Sequence, residues 1–163
     1  MPARPGHLLK RRKSALHFGM SRFIMASTET GGIKMFHEFK LSTPRENFYN
    51  ITAQVREAIN KSGIADGIAV VYCPHTTAGI TINENADPDV VYDMLLGLSG
   101  AFPDRREFRH GEGNSSAHLK ASAIGSSVTV IIAGGRPLLG TWQSIYFCEF
   151  DPPRNRTFYV KVM

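Results

Sequence analysis

The sequence predicts one α+β domain running from about residue 35 to the C-terminus, and three observations carry that prediction. Short apolar stretches with strand-like patterning recur from residue 33 to the end. Two segments repeat apolar residues at helical spacing between capping signals, and a 163-residue chain with 42% hydrophobic residues has the material for a single core. No internal repeat or low-complexity block suggests a second domain.

Residues 1–34 stand apart by charge. They hold seven Lys and Arg against the single acid Glu29, whereas residues 35–163 hold 12 against 13, so the formal net charge of +5 belongs to the N-terminal stretch. Only broken apolar pieces interrupt that basic run, which predicts a disordered extension. His17, Gly19, Ser21 and Arg22 break the uninterrupted apolar stretch that a secretory signal needs. A transit peptide or basic arm is one reading; the favoured one is an upstream start or cloning extension, with Met20, Met25 and Met35 as later starts. The near-neutral domain lacks the basic footprint of sequence-independent nucleic-acid binding. No apolar stretch reaches membrane-spanning length, and two cysteines in apolar runs, Cys73 and Cys148, suit a reducing cytoplasm.

Along the domain, residues 33–41 alternate, with Met35, His37, Phe39 and Leu41 on one side, as a strand does. A helix follows: Asn50 caps it, Ile51, Val55 and Ile59 form its stripe, and Gly63 ends it. Residues 68–73 are continuous and β-branched, which predicts a strand buried on both faces. In residues 77–83, Ala78, Ile80 and Ile82 point to the core, leaving Thr77, Gly79, Thr81 and Asn83 on the face shared with His75. Asp87 and Pro88 start a second helix with Val91, Met94, Leu95 and Leu98 as its apolar side. Residues 99–116 show no period, and a short helix over 116–124 carries His118 in its first turn before Gly125. Strands over 128–133, 142–150 and 158–162 complete the domain, with Gly134-Gly135 as a tight turn and residues 151–155 as a connection.

Three of the six histidines, His75, His110 and His118, sit in polar surroundings rich in glycine or threonine. Neutral imidazoles are common ligands for transition metals, and three protein ligands with an open position is the catalytic-zinc arrangement. No HExxH or CxxC spacing fixes the geometry, and each histidine alone reads as a surface or hydrogen-bonded residue. A strand entry and both flanks of a long loop are nevertheless where a scaffold presents a site. Glu84 reads either as a proton-transfer group or as a helix-capping acid. The start of the short helix, with Asn114, Ser115, Ser116 and nearby Lys120, reads as an anion site or as ordinary capping. Glu112 is a candidate acid or base or a solvated loop carboxylate. Without a GxSxG elbow the serines are not read as acyl-transfer nucleophiles. Cys73 is a soft ligand or a core residue, and Trp142 with Gln143 a pocket wall or packing.

The segments CPHTTAGITINENADP, RHGEGNSSAHLKAS and GGRPLLGTWQSIYFCEFDPPRNR resemble, in order and spacing, the YjbQ-like family, whose members are named secondary thiamine-phosphate synthase enzymes. The resemblance covers residues 35–163. It implies a barrel-like mixed β-sheet with a few short helices, assembled as a homotrimer. It also implies a metal site on His75, His110 and His118, with recurring polar positions at Asn83, Glu84, Asn114, Arg136 and Gln143. The implied activity joins a hydroxymethylpyrimidine diphosphate to a thiazole phosphate with loss of pyrophosphate. Such leaving groups usually travel with Mg²⁺, whereas three histidines suit Zn²⁺, Ni²⁺ or Fe²⁺, so either the metal does not sit where pyrophosphate leaves or this chemistry is a side activity.

The resulting expectation is a cytoplasmic metal enzyme acting on a small phosphorylated or anionic molecule. Zinc is the first choice, with nickel, iron or magnesium as alternatives. Glu84, Asn83 and Asn114 serve the chemistry, and Ser116, Lys120, Arg136 and Gln143 hold the ligand. The alternative is a non-catalytic trimeric module that binds a small anion or a protein partner. A third reading, nucleic-acid binding, would be confined to residues 1–34.

Overall fold

Gly63, with φ of 67°, ends the first helix where glycine alone enters the left-handed region without strain, and residues on both sides of it build the core. The computed structural model describes residues 35–163; the expected disordered extension lies outside the described residues. The elements run β1 (Phe36–Thr43), β2 (Asn47–Asn50), α1 (Thr52–Ser62), β3 (Gly67–Tyr72), β4 (Ala78–Glu84), α2 (Pro88–Ala101), α3 (Ser115–Ile124), β5 (Ser127–Ala133), β6 (Arg136–Pro137), β7 (Gln143–Glu149) and β8 (Arg154–Val162). A five-stranded sheet has the order β1-β8-β3-β5-β6, and a three-stranded sheet the order β2-β7-β4. Together they form a curled half-barrel with three helices.

Every strand pairing among the described residues is antiparallel, so the expected mixed sheet is corrected. The same topology explains a second correction. The strand at residues 67–72 buries Ala69 and Val71 on one face only, while Ile68 and Tyr72 are exposed on the other. Parallel sheets are covered on both faces, whereas an antiparallel sheet can turn one face outward. The outer face here also carries Ile131 and Phe36, and Phe36 stacks on Tyr159 at 5.2 Å.

The main core lies between the inner faces of the two sheets and α1, which contributes Val55, Ala58 and Ile59, with Ile51 just before it. A second core packs Phe48, Tyr146 and Cys148, from the other face of the three-stranded sheet, against α2 and α3. Strand β7 is therefore buried from Ser144 to Glu149, matching its unbroken apolar run. The N-cap position falls on Ile51, one residue past the expected Asn50, while Asn50 Oδ1 accepts the Thr52 N–H at 3.0 Å just before the helix. Short β2 had no legible strand signal in four residues with polar ends.

The Asp87-Pro88 start of α2 is also as expected, with Asp87 Oδ1 accepting the Asp89 N–H at 2.9 Å. Replacing Asp87 with Ala is expected to lower the unfolding free energy by about 1 kcal/mol in urea titration. An unchanged midpoint would show that the cap adds nothing. No residue of α2 is fully buried, and its Val91, Met94, Leu95 and Leu98 pack partly buried against the second core.

Candidate functional site

His75 lies in the segment between β3 and β4, where Pro74 interrupts strand pairing. Its Nε2 accepts the Thr157 backbone N–H at 2.9 Å. That nitrogen must therefore present its lone pair, and the neutral ring carries its proton on Nδ1. Burial, and next the Arg156 guanidinium, hold the imidazole below its ordinary pKa.

Beneath His75 sits a buried ionic network. Arg156 donates through Nε and Nη2 to both Glu149 oxygens, and Nη2 also reaches Thr77 Oγ1 at 2.9 Å. Thr43 Oγ1 and the Asp151 N–H donate to the same carboxylate at 2.7 and 2.8 Å. Burial pushes the Glu149 carboxyl up, but hydrogen bonds from Arg156, Asp151 and Thr43 outweigh it and hold the group below its usual range. Arg156 and Thr157 were missed as site residues because the sequence reading began the last strand at Phe158. The available signal was phase: Arg156, Phe158, Val160 and Val162 recur every second residue and all are buried.

His118 sits in the first turn of α3, as expected, and its ring packs edge-on against His110 with centroids 5.2 Å apart. Helix α3 reaches this position because β4 has a glycine beneath it. A Cβ at Gly79 would lie 2.7 Å from the Gly125 oxygen and 2.9 Å from Ile124 Cγ2. The face of β4 shared with His75 is thus covered by α3 at Gly79, with Thr77 buried beside it. Asn114 donates Nδ2 to Asp151 Oδ2 at 3.1 Å, while its buried Oδ1 has no hydrogen-bond partner among the described residues.

His75 and His118 line one cleft of about 620 Å³, together with Tyr72, Thr76, Ser122 and Ser126. Among the described residues, no group of three or more His, Cys, Asp or Glu side chains is arranged to hold a metal ion. The structure thus brings His110 and His118 into a pair and leaves His75 engaged with Thr157 in the same cleft. Cys73 also borders it, but burial raises its thiol to about 11, which suits packing rather than thiolate chemistry.

The other expected residues divide differently. Asn83, Glu84 and Gln143 line a second cleft of about 600 Å³ with Trp142. It opens at the far end of β4, about 20 Å from the start of that strand at about 3.3 Å per residue. Trp142 is 64% exposed, so the packing alternative does not apply. Arg136 lies exposed on short β6. Ser116 Oγ donates to the Phe102 carbonyl, and buried Lys120 donates to Glu46 at 2.8 Å and to Ser99 at 3.1 Å. In this arrangement Ser116 ties α3 to the end of α2, and Lys120 ties α3 to Ser99 of α2 and to Glu46.

The fold defines a class of small α+β domains in which a curled antiparallel half-barrel carries three helices. A family model described as UPF0047 protein YjbQ-like matches residues 37–163. UPF0047 protein MJ1081 of Methanocaldococcus jannaschii is 54% identical over 132 residues, covering 80% of this chain and 96% of that protein. UPF0047 protein YugU of Bacillus subtilis is 54% identical over 123 residues, covering 75% and 93%. A crystal structure of a conserved YjbQ/UPF0047-family protein from Clostridium acetobutylicum superimposes with a TM-score of 0.76 at 55% identity, covering 78% of this chain and 99% of that one. The chain belongs to the UPF0047/YjbQ family. The names of these relatives state no activity, so the chemistry has to be argued from the site.

Proposed function

We propose that the protein is a divalent-metal enzyme acting on a small phosphorylated or anionic molecule, with the metal held by His110 and His118. The observation that carries this reading is the packing of those two imidazoles at 5.2 Å, and the buried oxygen of Asn114, one helical turn before His118 along the chain, has no hydrogen-bond partner among the described residues. Two imidazole nitrogens and an amide oxygen suit Zn²⁺, Ni²⁺ or Fe²⁺ better than Mg²⁺, which prefers oxygen ligands and retained water. Such an ion would supply Lewis-acid polarisation of a bound oxygen. His75, with its proton fixed on Nδ1, donates a hydrogen bond to an acceptor in the cleft, and the hydroxyls of Thr76, Ser122 and Ser126 add polar lining.

The finer reading, a transferase of the secondary thiamine-phosphate synthase type, rests on the family resemblance. It goes together with a homotrimer. Support for self-association comes from the uncovered face of the five-stranded sheet, where Phe36, Ile68, Tyr72 and Ile131 are exposed. Tyr72 lies on that face and also lines the histidine cleft, so a second copy seated there would extend the cleft wall. This would add ligand-binding surface to the cleft.

Metal analysis of untagged full-length protein tests the site. A stoichiometric transition metal is expected, lost in His118→Ala and retained in His75→Ala. Wild-type protein without such a metal, or His118→Ala with full occupancy, overturns the proposal. Loss in His75→Ala as well would mean that all three histidines bind the ion and that the Thr157 contact breaks when it does.

A further inference from the structure

The cleft at the far end of β4 has a chemistry of its own. Its wall is preformed: the Gln143 N–H donates to the Gly140 carbonyl at 3.0 Å, and the Gly140 N–H donates to Gln143 Oε1 at 2.8 Å. This reciprocal clamp shapes the turn that carries Trp142. The Trp142 carbonyl accepts the Asn85 N–H at 2.9 Å, anchoring the backbone while the indole stays 64% exposed. An exposed indole on an anchored backbone beside a cleft offers a flat π face.

Glu84 stands across the sheet ladder from Gln143, as its antiparallel partner in β7. Its backbone is fully engaged, the N–H with Asn83 Oδ1 at 2.8 Å and the carbonyl with the Tyr146 hydroxyl at 2.9 Å. Its carboxylate takes no hydrogen bond or ion pair among the described residues. Among the described residues, no Lys, Arg or His lines the cleft, and no second carboxylate does. An anion would therefore find no counter-charge there, and a metal ion only one carboxylate. An indole face next to an uncompensated carboxylate favours a planar organic cation, through cation–π attraction and charge-assisted hydrogen bonding.

We propose that the cleft formed by Glu84, Trp142 and Gln143 is a second binding site, distinct from the histidine cleft, for a planar organic cation of the amidinium or protonated amino-heterocycle class. Glu84 selects the charge, Trp142 stacks on the plane, Gln143 with its Oε1 held by the Gly140 N–H shapes the wall, and the hydroxyl of Thr141 supplies a further acceptor at the rim.

Trp142 is the only tryptophan in the chain, so its emission reports this site directly. The full-length protein is titrated with benzamidinium, neutral benzamide and benzoate, which share shape and differ in charge. Benzamidinium is expected to change the emission saturably, with benzamide weaker and benzoate without a saturable effect. Glu84→Gln, which keeps the shape, should weaken benzamidinium by about tenfold or more, while His118→Ala leaves it unchanged, separating this proposal from the metal site. Equal responses to the three probes, only a linear quench, or unaltered binding in Glu84→Gln overturns it. So does emission that shifts on dilution without ligand, which would show Trp142 covered by another copy.

Discussion

Replacing Arg156 with methionine is expected to lower the unfolding free energy by about 3–5 kcal/mol, because it leaves the Glu149 carboxylate buried without its counter-charge. The loss should depend on pH with a definite sign. In the wild type the depressed Glu149 pKa contributes stability that is fully present above the unfolded carboxylate value, about 4.3, and is lost as pH falls through the lower folded value. In the variant the unpaired carboxyl has a raised folded pKa, so the destabilisation is largest near neutral pH and shrinks on acidification as Glu149 protonates. Urea denaturation at a series of pH values measures both. A loss under about 1 kcal/mol, typical of an exposed ion pair, would show that water reaches the network. The effect extends to the site, since Thr77 loses the Arg156 contact and Thr157, the donor to His75, is the next residue along β8.

The second large effect is expected at Gly79. In Gly79→Ala the new methyl meets the Gly125 carbonyl and Ile124, neither of which is the far end of a flexible side chain. The Gly125 carbonyl also accepts the Ile80 N–H at 3.0 Å, so α3 cannot lift away without straining that bond. Overpacking of this kind costs about 1–3 kcal/mol. Because α3 carries His118, the variant should also bind metal less well than wild type when compared under native conditions. Wild-type stability together with wild-type metal content would contradict the close approach of α3 to β4.

The contrast between these two positions and the histidines shows what the sequence makes legible. Gly63, the Asp87-Pro88 pair and the Gly134-Gly135 turn were readable because the chemistry of a cap or turn acts within a few residues. The alternation of His37, Phe39 and Leu41 was readable for the same reason. Burial on both faces at residues 68–73 was not correctly inferred, because an apolar run reports what a strand can bury and not whether anything covers it. Glu149 and Arg156 pair across β7 and β8, and a lone acid inside the apolar run of β7 was the only hint of it.

The candidate site was legible as motifs but not as geometry. His75 and Glu84 are nine positions apart in one motif, which suggests proximity, yet an extended strand carries them to opposite ends of the sheet. His110 and His118 are eight apart across an irregular loop, with no periodicity to bring them together, and still their rings touch. The Thr157 N–H that fixes the His75 tautomer lies 82 residues away and belongs to the backbone, so no side-chain pattern could reveal it.

Anomalous scattering at transition-metal absorption edges, from crystals of the full-length protein, tests the central claim most directly. The account predicts a peak about 2.0–2.1 Å from one imidazole nitrogen of His110 and one of His118, with the Thr157 contact of His75 intact. No peak at that pair, or a peak confined to another part of the molecule, would contradict it.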